Sequence, residues 1–240
     1  MKKLVALVAL LVVLVVADRV AVGVAQGQLA SRVQTSQDLP SKPSVNIAGF
    51  PFLTQVIGGR YEQVSLGLPA IDRDGLRLSE VNIRADGVRV ALGDLIGGRV
   101  SSVPVDHARG DVLLTYDDLD AYLAQRIEVP KVTVKRDGQN AKVTGTVEIP
   151  FLNRPVSVSG NAAVDVSGDE VTIRPTAVQA LTGFLPGLAE GPAREALTVR
   201  FSIKGLPLGV RLDHATLTDE GIRFTALADG VTLDAGKATG

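Results

Sequence analysis

The stretch Leu76-Arg77-Leu78-Ser79-Glu80-Val81-Asn82-Ile83-Arg84-Ala85-Asp86-Gly87-Val88-Arg89-Val90-Ala91-Leu92 decides the fold class. Leu76 and Leu78, Val81 and Ile83, then Val88, Val90 and Leu92 fall two residues apart, with Arg77, Asn82, Arg84 and Arg89 between them. A period of two puts alternate side chains on opposite faces, the pattern of half-buried antiparallel strands. Asp72-Arg73-Asp74-Gly75 before the stretch and Ala85-Asp86-Gly87 inside it read as turns. The same alternation recurs upstream at Val45 and Ile47 and at Val64, Leu66 and Leu68. Downstream it recurs at Val132–Val134 and Val143–Val147, joined by a turn at Arg136-Asp137-Gly138. Val156–Val158, Ala162–Val166, Val171–Ile173, Phe201–Ile203, Val210–Leu212, Ala215–Leu217, Ile222–Phe224 and Val231–Leu233 continue it.

Helical signals are fewer. Thr115 to Arg126 reads as a helix, with Thr115 as N-cap, Asp117 and Asp118 in the first turn, and a stripe of Leu119, Tyr122 and Leu123. Pro130 closes it. Thr182 to Leu197 is a second candidate, weakened by Gly183, Pro186, Gly187, Gly191 and Pro192. The N-terminus is distinct. Met1-Lys2-Lys3 precedes an unbroken Leu, Val and Ala run from Leu4 to Ala17, ended by Asp18 and Arg19. A basic start and an apolar run read as a secretory signal. The run is shorter than the ~20 residues a spanning helix needs. Small residues allow cleavage after Ala17 or after Ala25. Yet Val20, Val24, Gln28 or Leu29, and Val33 continue at helical spacing, so a retained signal anchor is the alternative. A buried core helix is a third reading. The expected division is 1–37, a signal peptide or signal-anchor helix with an amphipathic extension, and 38–240, a β-rich domain opening on the linker Asp38–Pro43. Either fate places the body outside the cytoplasm, soluble or anchored to the membrane.

Composition narrows the chemistry. At 240 residues with 45% hydrophobic and 21% charged residues, the chain can bury a core. A net charge of -1 gives no basic field for nucleic acid, and 4% aromatics without Trp argue against a base-stacking surface. The absence of Cys excludes thiol nucleophiles, Cys-ligated metals, disulfides and a lipoprotein anchor. His107 and His214 lack a second His at metal spacing, and Asp117, Asp118 and Asp120 fit the macrodipole of a helix start. No nucleophile elbow, P-loop or dinucleotide fingerprint occurs. No catalytic residue, metal site or cofactor is expected.

The informative constellation is apolar. Gly49-Phe50-Pro51-Phe52-Leu53 and Thr182-Gly183-Phe184-Leu185-Pro186-Gly187-Leu188 gather Phe between Gly and Pro. Such loops dip into a bilayer or form the mouth of a lipid cavity. The candidate lipid-contacting or membrane-contacting residues are therefore Phe50, Pro51, Phe52, Leu53, Phe184 and Leu185. A core plug between sheet and helix is the competing reading. Arg60, directly after the insert, is the candidate phosphate ligand, against a solvated strand-end charge. An internal echo links Asp74-Gly75-Leu76 and Ala85-Asp86-Gly87-Val88 with Glu220-Gly221-Ile222 and Ala228-Asp229-Gly230-Val231. It reads either as two halves built alike or as reuse of one turn chemistry.

Gly49-Phe50-Pro51-Phe52-Leu53-Thr54-Gln55 with Gly59-Arg60-Tyr61 resembles the LmeA-like family of actinobacterial envelope proteins. Ala17-Asp18-Arg19, Thr115-Tyr116-Asp117-Asp118-Leu119, Leu206-Pro207-Leu208-Gly209 and Gly221-Ile222 add to the resemblance, which runs from the N-terminal helix to about Leu233. It implies phospholipid binding and an α+β, β-rich fold: a curved antiparallel sheet or flattened barrel wrapped around a long helix, as in tubular lipid-binding proteins. It carries over no catalytic residues. The expected function is a non-enzymatic phospholipid-binding or lipid-transfer protein of the envelope, with acyl chains in an apolar cavity. Its partners are phospholipid and a membrane surface. The rivals are an envelope scaffold supporting a biosynthetic enzyme and a hydrolase with a spatially assembled site.

Overall fold

The computed structural model describes residues 1–97, 100, 102–126, 132–149, 154–181, 187–203 and 211–234. Five helices occur among them: α1 (Lys2–Ser36), α2 (Phe52–Gly58), α3 (Leu92–Gly97), α4 (Tyr116–Arg126) and α5 (Gly187–Ala196). The strands are β1 (Ser44–Ala48), β2 (Arg60–Leu68), β3 (Ile71–Arg73), β4 (Leu76–Leu78), β5 (Glu80–Arg89), β6 (Ser102–Thr115), β7 (Thr133–Asp137), β8 (Asn140–Ile149), β9 (Arg154–Ser167), β10 (Glu170–Pro175), β11 (Gln179–Ala180), β12 (Val199–Ser202), β13 (Arg211–Leu217) and β14 (Gly221–Asp234). One sheet has the order β1-β2-β5-β6-β14-β13, a second β12-β10-β9-β8-β7, and β3-β4 is a separate hairpin. Every pair with a defined register is antiparallel. The fold is thus the expected β-rich α+β class with a long N-terminal helix. Both sheets are open paths, so the flattened-barrel version of the expectation is set aside.

Two compact units divide the chain. The first comprises Met1–Pro69, Asn82–Gly110 and Leu227–Gly240, the second Ala70–Val81 and Asp111–Ala226. In the first, α1 packs on β1 and α2. Its core gathers Val22 of α1, Phe52 of α2, Tyr61 of β2, Ala85 and Val88 of β5, and Val105 and Ala108 of β6. The second unit is centred on Leu114, Leu119, Ile173 and Phe224, all fully buried. Tyr122, Phe201 and Phe224 stack edge to face there, with ring centroids 6.2 and 6.5 Å apart.

The hairpins follow the turn chemistry. Asp74 (φ 54) and Gly75 (φ 80) form a two-residue loop between β3 and β4, both in the left-handed region that such loops require. The Thr115 cap on α4 is confirmed: Asp118 N donates to Thr115 Oγ1 at 3.1 Å. In four places the structure departs from the alternation reading. Ala85-Asp86-Gly87 is not a turn but the middle of β5, where Gly87 (φ 64) lets the strand slip by one residue. Gly87 and Val88 are consecutive buried residues, the mark of a β-bulge. Ala228-Asp229-Gly230-Val231 lies mid-strand in β14 in the same way, with Gly230 at φ 60. The internal echo is therefore two bulged strands, both neighbours of β6. Leu92 begins a helix, not a strand end, with Asp94 in its first turn. Val156–Val158 and Ala162–Val166 form one strand, β9, because no turn residue separates them.

Candidate functional site

The apolar insert enters through the non-helical Gly49–Pro51 and continues as the helix α2 from Phe52. Seven residues cannot sustain a helix alone in water. Here α2 is held from outside. Asp18 of α1 is 2% exposed, and its Oδ1 accepts the Leu53 N–H at 2.8 Å. The carboxylate thus takes the place of a local N-cap, which Pro51 at the cap position does not provide. Arg19 pairs with the other oxygen at 2.5 Å, so the buried charge is compensated. Gln55 closes the far side: its Nε2 donates to Ala48 O at 3.2 Å and its Oε1 accepts the Glu62 N–H at 2.9 Å. Gly49 is required at the entry by its backbone, since φ 99 lies in the left-handed region that L side chains rarely adopt. The blocks around Asp18 and Gly49–Gln55, distant in sequence, are one latch in space.

The latch sorts the expected contact residues. Phe52 faces inward, 4% exposed, with its ring 6.3 Å from Tyr61. Phe50 is 60% exposed, Leu53 37% and Ile57 77%, and Pro51 is exposed. The guanidinium of Arg19 lies 5.1 Å from the centroid of the Phe50 ring. Along α1, the large apolar residues from Leu4 to Val16 are exposed, as are Val20 and Val24, while Val22 and Ala30 are buried. The exposed face of α2 therefore starts where the apolar run of α1 ends. Among the described residues, α1 is the one helix long and apolar enough to cross a membrane. Phe184 and Leu185 lie outside the described residues.

Arg60 opens β2 and pairs with Asp106 of β6 at 2.6 Å; Arg89 of β5 reaches the same carboxylate at 2.8 Å. Next to Asp106, His107 Nδ1 meets Asp229 at 2.7 Å. That hydrogen bond raises the imidazole pKa above its usual 6.5; desolvation opposes the rise, and the charges of Asp229, Asp106 and Asp86 reinforce it. His214 pairs with its neighbour Asp213. No group of three His, Cys, Asp or Glu among the described residues could hold a metal. Two of the three Asp residues of α4 are held by neighbours, while Asp117 is exposed. Asp118 accepts from Ser79 and Thr115, and Asp120 accepts the Val134 N–H at 3.0 Å. The second unit carries an open cleft of about 810 Å³ lined by Thr115, Tyr116, Lys135, Arg136, Asp219 and Glu220. Its lining is mixed polar and apolar, and it contains none of the residues expected to contact lipid or phosphate.

Sequence reading missed Asp18 as a cap, and Ile57, Arg19, Arg89 and Asp106 as neighbours of the insert. One signal for Asp18 was available: a carboxylate between an apolar run and further apolar helical positions needs a partner. The sequence model of a family described as LmeA-like phospholipid-binding matches residues 16–226. No curated protein and no solved structure matches.

Proposed function

The chain belongs to the LmeA-like phospholipid-binding family, and from that premise we propose that it is a non-enzymatic phospholipid-binding protein of the cell envelope that works against the membrane reached by α1. One observation carries this reading: Asp18 fastens α2 to α1 where the apolar run ends, leaving Phe50, Leu53 and Ile57 exposed there. Leu4 to Ala17 spans about 21 Å as a helix, against a hydrocarbon core of ~30 Å. If α1 is retained, this mismatch draws its body-facing end toward the interface. The exposed side chains of α2 then meet headgroups and upper acyl chains, and each buried methylene contributes ~0.8 kcal/mol. If α1 is cleaved after Ala17, the same side chains form a peripheral docking surface. Holding acyl chains for transfer is the further step of this proposal.

The test uses the full chain with Ile57→Cys, unique because the chain has no Cys. An environment-sensitive fluorophore on that thiol shifts to the blue when the reconstituted chain meets phospholipid vesicles, and lipid extraction recovers bound phospholipid. Unshifted emission together with no recovered lipid refutes the proposal. A scaffold role draws on the same exposed apolar face. It predicts unshifted emission with lipid and a shift only with a protein partner.

A further inference from the structure

The apolar insert is rimmed by arginine at both ends. Arg19 stacks on Phe50 at its entry, and Arg60 follows Ile57 and the end of α2 at its exit. The exit end is built with some care. Gly59 O accepts the Val90 N–H at 2.9 Å, which fastens the end of α2 to the end of β5 and so brings Arg60 beside Arg89. Asp106 then holds both. Oδ2 takes Arg60 Nη2 at 2.6 Å and Oδ1 takes Arg89 Nη2 at 2.8 Å. Its place exists because residue 87 has no side chain: a Cβ on Gly87 would lie 2.1 Å from Asp106 Oδ2. The bulge in β5 thus makes room for a carboxylate that sets two guanidinium groups side by side.

Each guanidinium has five N–H donors in a planar fork, and both side chains are about half exposed, 58% and 46%. The triad carries two positive charges against one negative. Its pairs are exposed, so little free energy opposes sharing them with another anion. On the other side of Asp106, His107 and Asp229 satisfy each other. A fork beside an exposed apolar helix matches one amphiphile: acyl chains below, a phosphodiester above.

We propose that Arg60 and Arg89, set by Asp106, bind the phosphate of anionic phospholipid headgroups and give the insert a preference for anionic membrane. This rests on the membrane-facing reading of α2. Asp106 is a positioning residue: it touches the arginines, not the lipid.

The full chain labelled at Ile57→Cys is titrated with phosphatidylcholine vesicles and with vesicles containing phosphatidylglycerol. The wild-type background prefers the anionic vesicles. Arg60→Gln with Arg89→Gln lowers that preference by about fivefold per arginine and leaves the phosphatidylcholine signal in place. Asp106→Asn makes the chain more positive by one charge. Diffuse attraction predicts a stronger anionic preference from it; a built site predicts a weaker one. Circular dichroism checks that each variant is folded, and the two exposed arginines provide the variant least able to perturb folding. An unchanged preference in the double variant, or a stronger one in Asp106→Asn, overturns the inference. If the label enters neither vesicle, the membrane-facing reading falls. If it enters both equally, only the headgroup site falls.

Discussion

At the scale of the residue, neighbours in the insert do opposite work. Phe50 and Phe52 are two positions apart, yet one is 60% exposed and the other 4%. Phe52→Ala leaves a cavity against Tyr61 and Val22, and is expected to cost about 3–5 kcal/mol in chemical denaturation. Phe50→Ala is expected to stay within ~0.5 kcal/mol while weakening membrane contact. Ser159 offers a converse case. Its Oγ is buried with no hydrogen-bond partner among the described residues, so Ser159→Ala is expected to stabilise the fold by on the order of 1 kcal/mol. His107 supplies a pH signature. Its folded-state pKa lies above 6.5, chiefly through the Asp229 hydrogen bond. A raised pKa contributes stability that is full below 6.5 and lost as pH rises through the folded-state value. Asp229→Asn should therefore melt slightly below the wild type at about pH 5.5 and coincide with it at about pH 9. The reverse order would refute the pairing. The effect is small because both groups face solvent.

At the scale of the element, short helices and bulged strands depend on distant partners. The seven residues of α2 take their N-terminal cap from Asp18, 35 positions earlier. Asp18→Ala is expected to lower the melting temperature and to raise amide exchange at Leu53, Thr54 and Gln55 ahead of the rest of the first unit. Uniform exchange changes across that unit would argue against a local cap. The alternation of β5 showed its strand character and its polar face, but not its continuity. Asp-Gly flanked by apolar residues is the strongest short hairpin signal, and the same dipeptide with glycine in the left-handed region also makes a bulge. Local sequence does not separate the two. The sheet does, because β5 runs unbroken from Glu80 to Arg89 between β2 and β6. The Asp74-Gly75 loop, with short strands on either side, had no such constraint and turned as read.

At the scale of the whole molecule, α1 belongs to two environments. Its first half is apolar and exposed; its second half contributes Asp18, Val22 and Ala30 to the first unit. Cleavage after the two candidate sites therefore has different consequences. A chain starting at Asp18 keeps the latch and Val22 and is expected to fold. A chain starting at Gln26 loses both and is expected to lose cooperative melting of the first unit. Comparing the thermal unfolding of the two forms decides this, and equal stability would show that α1 does not support the core.

By itself the sequence determined the class of fold, because the period of two, the turn residues and the Thr115 cap are local properties that each strand or helix carries alone. It also placed the apolar N-terminal run, the insert and the cationic position after it. Tertiary structure alone decided which phenylalanine of Gly49–Leu53 faces solvent, that Asp18 caps a helix far along the chain, and that Arg60 and Arg89 share Asp106. These depend on distances between segments remote in sequence, and no periodicity encodes such distances. Burial and partnership are set only when the sheet brings β2, β5 and β6 side by side.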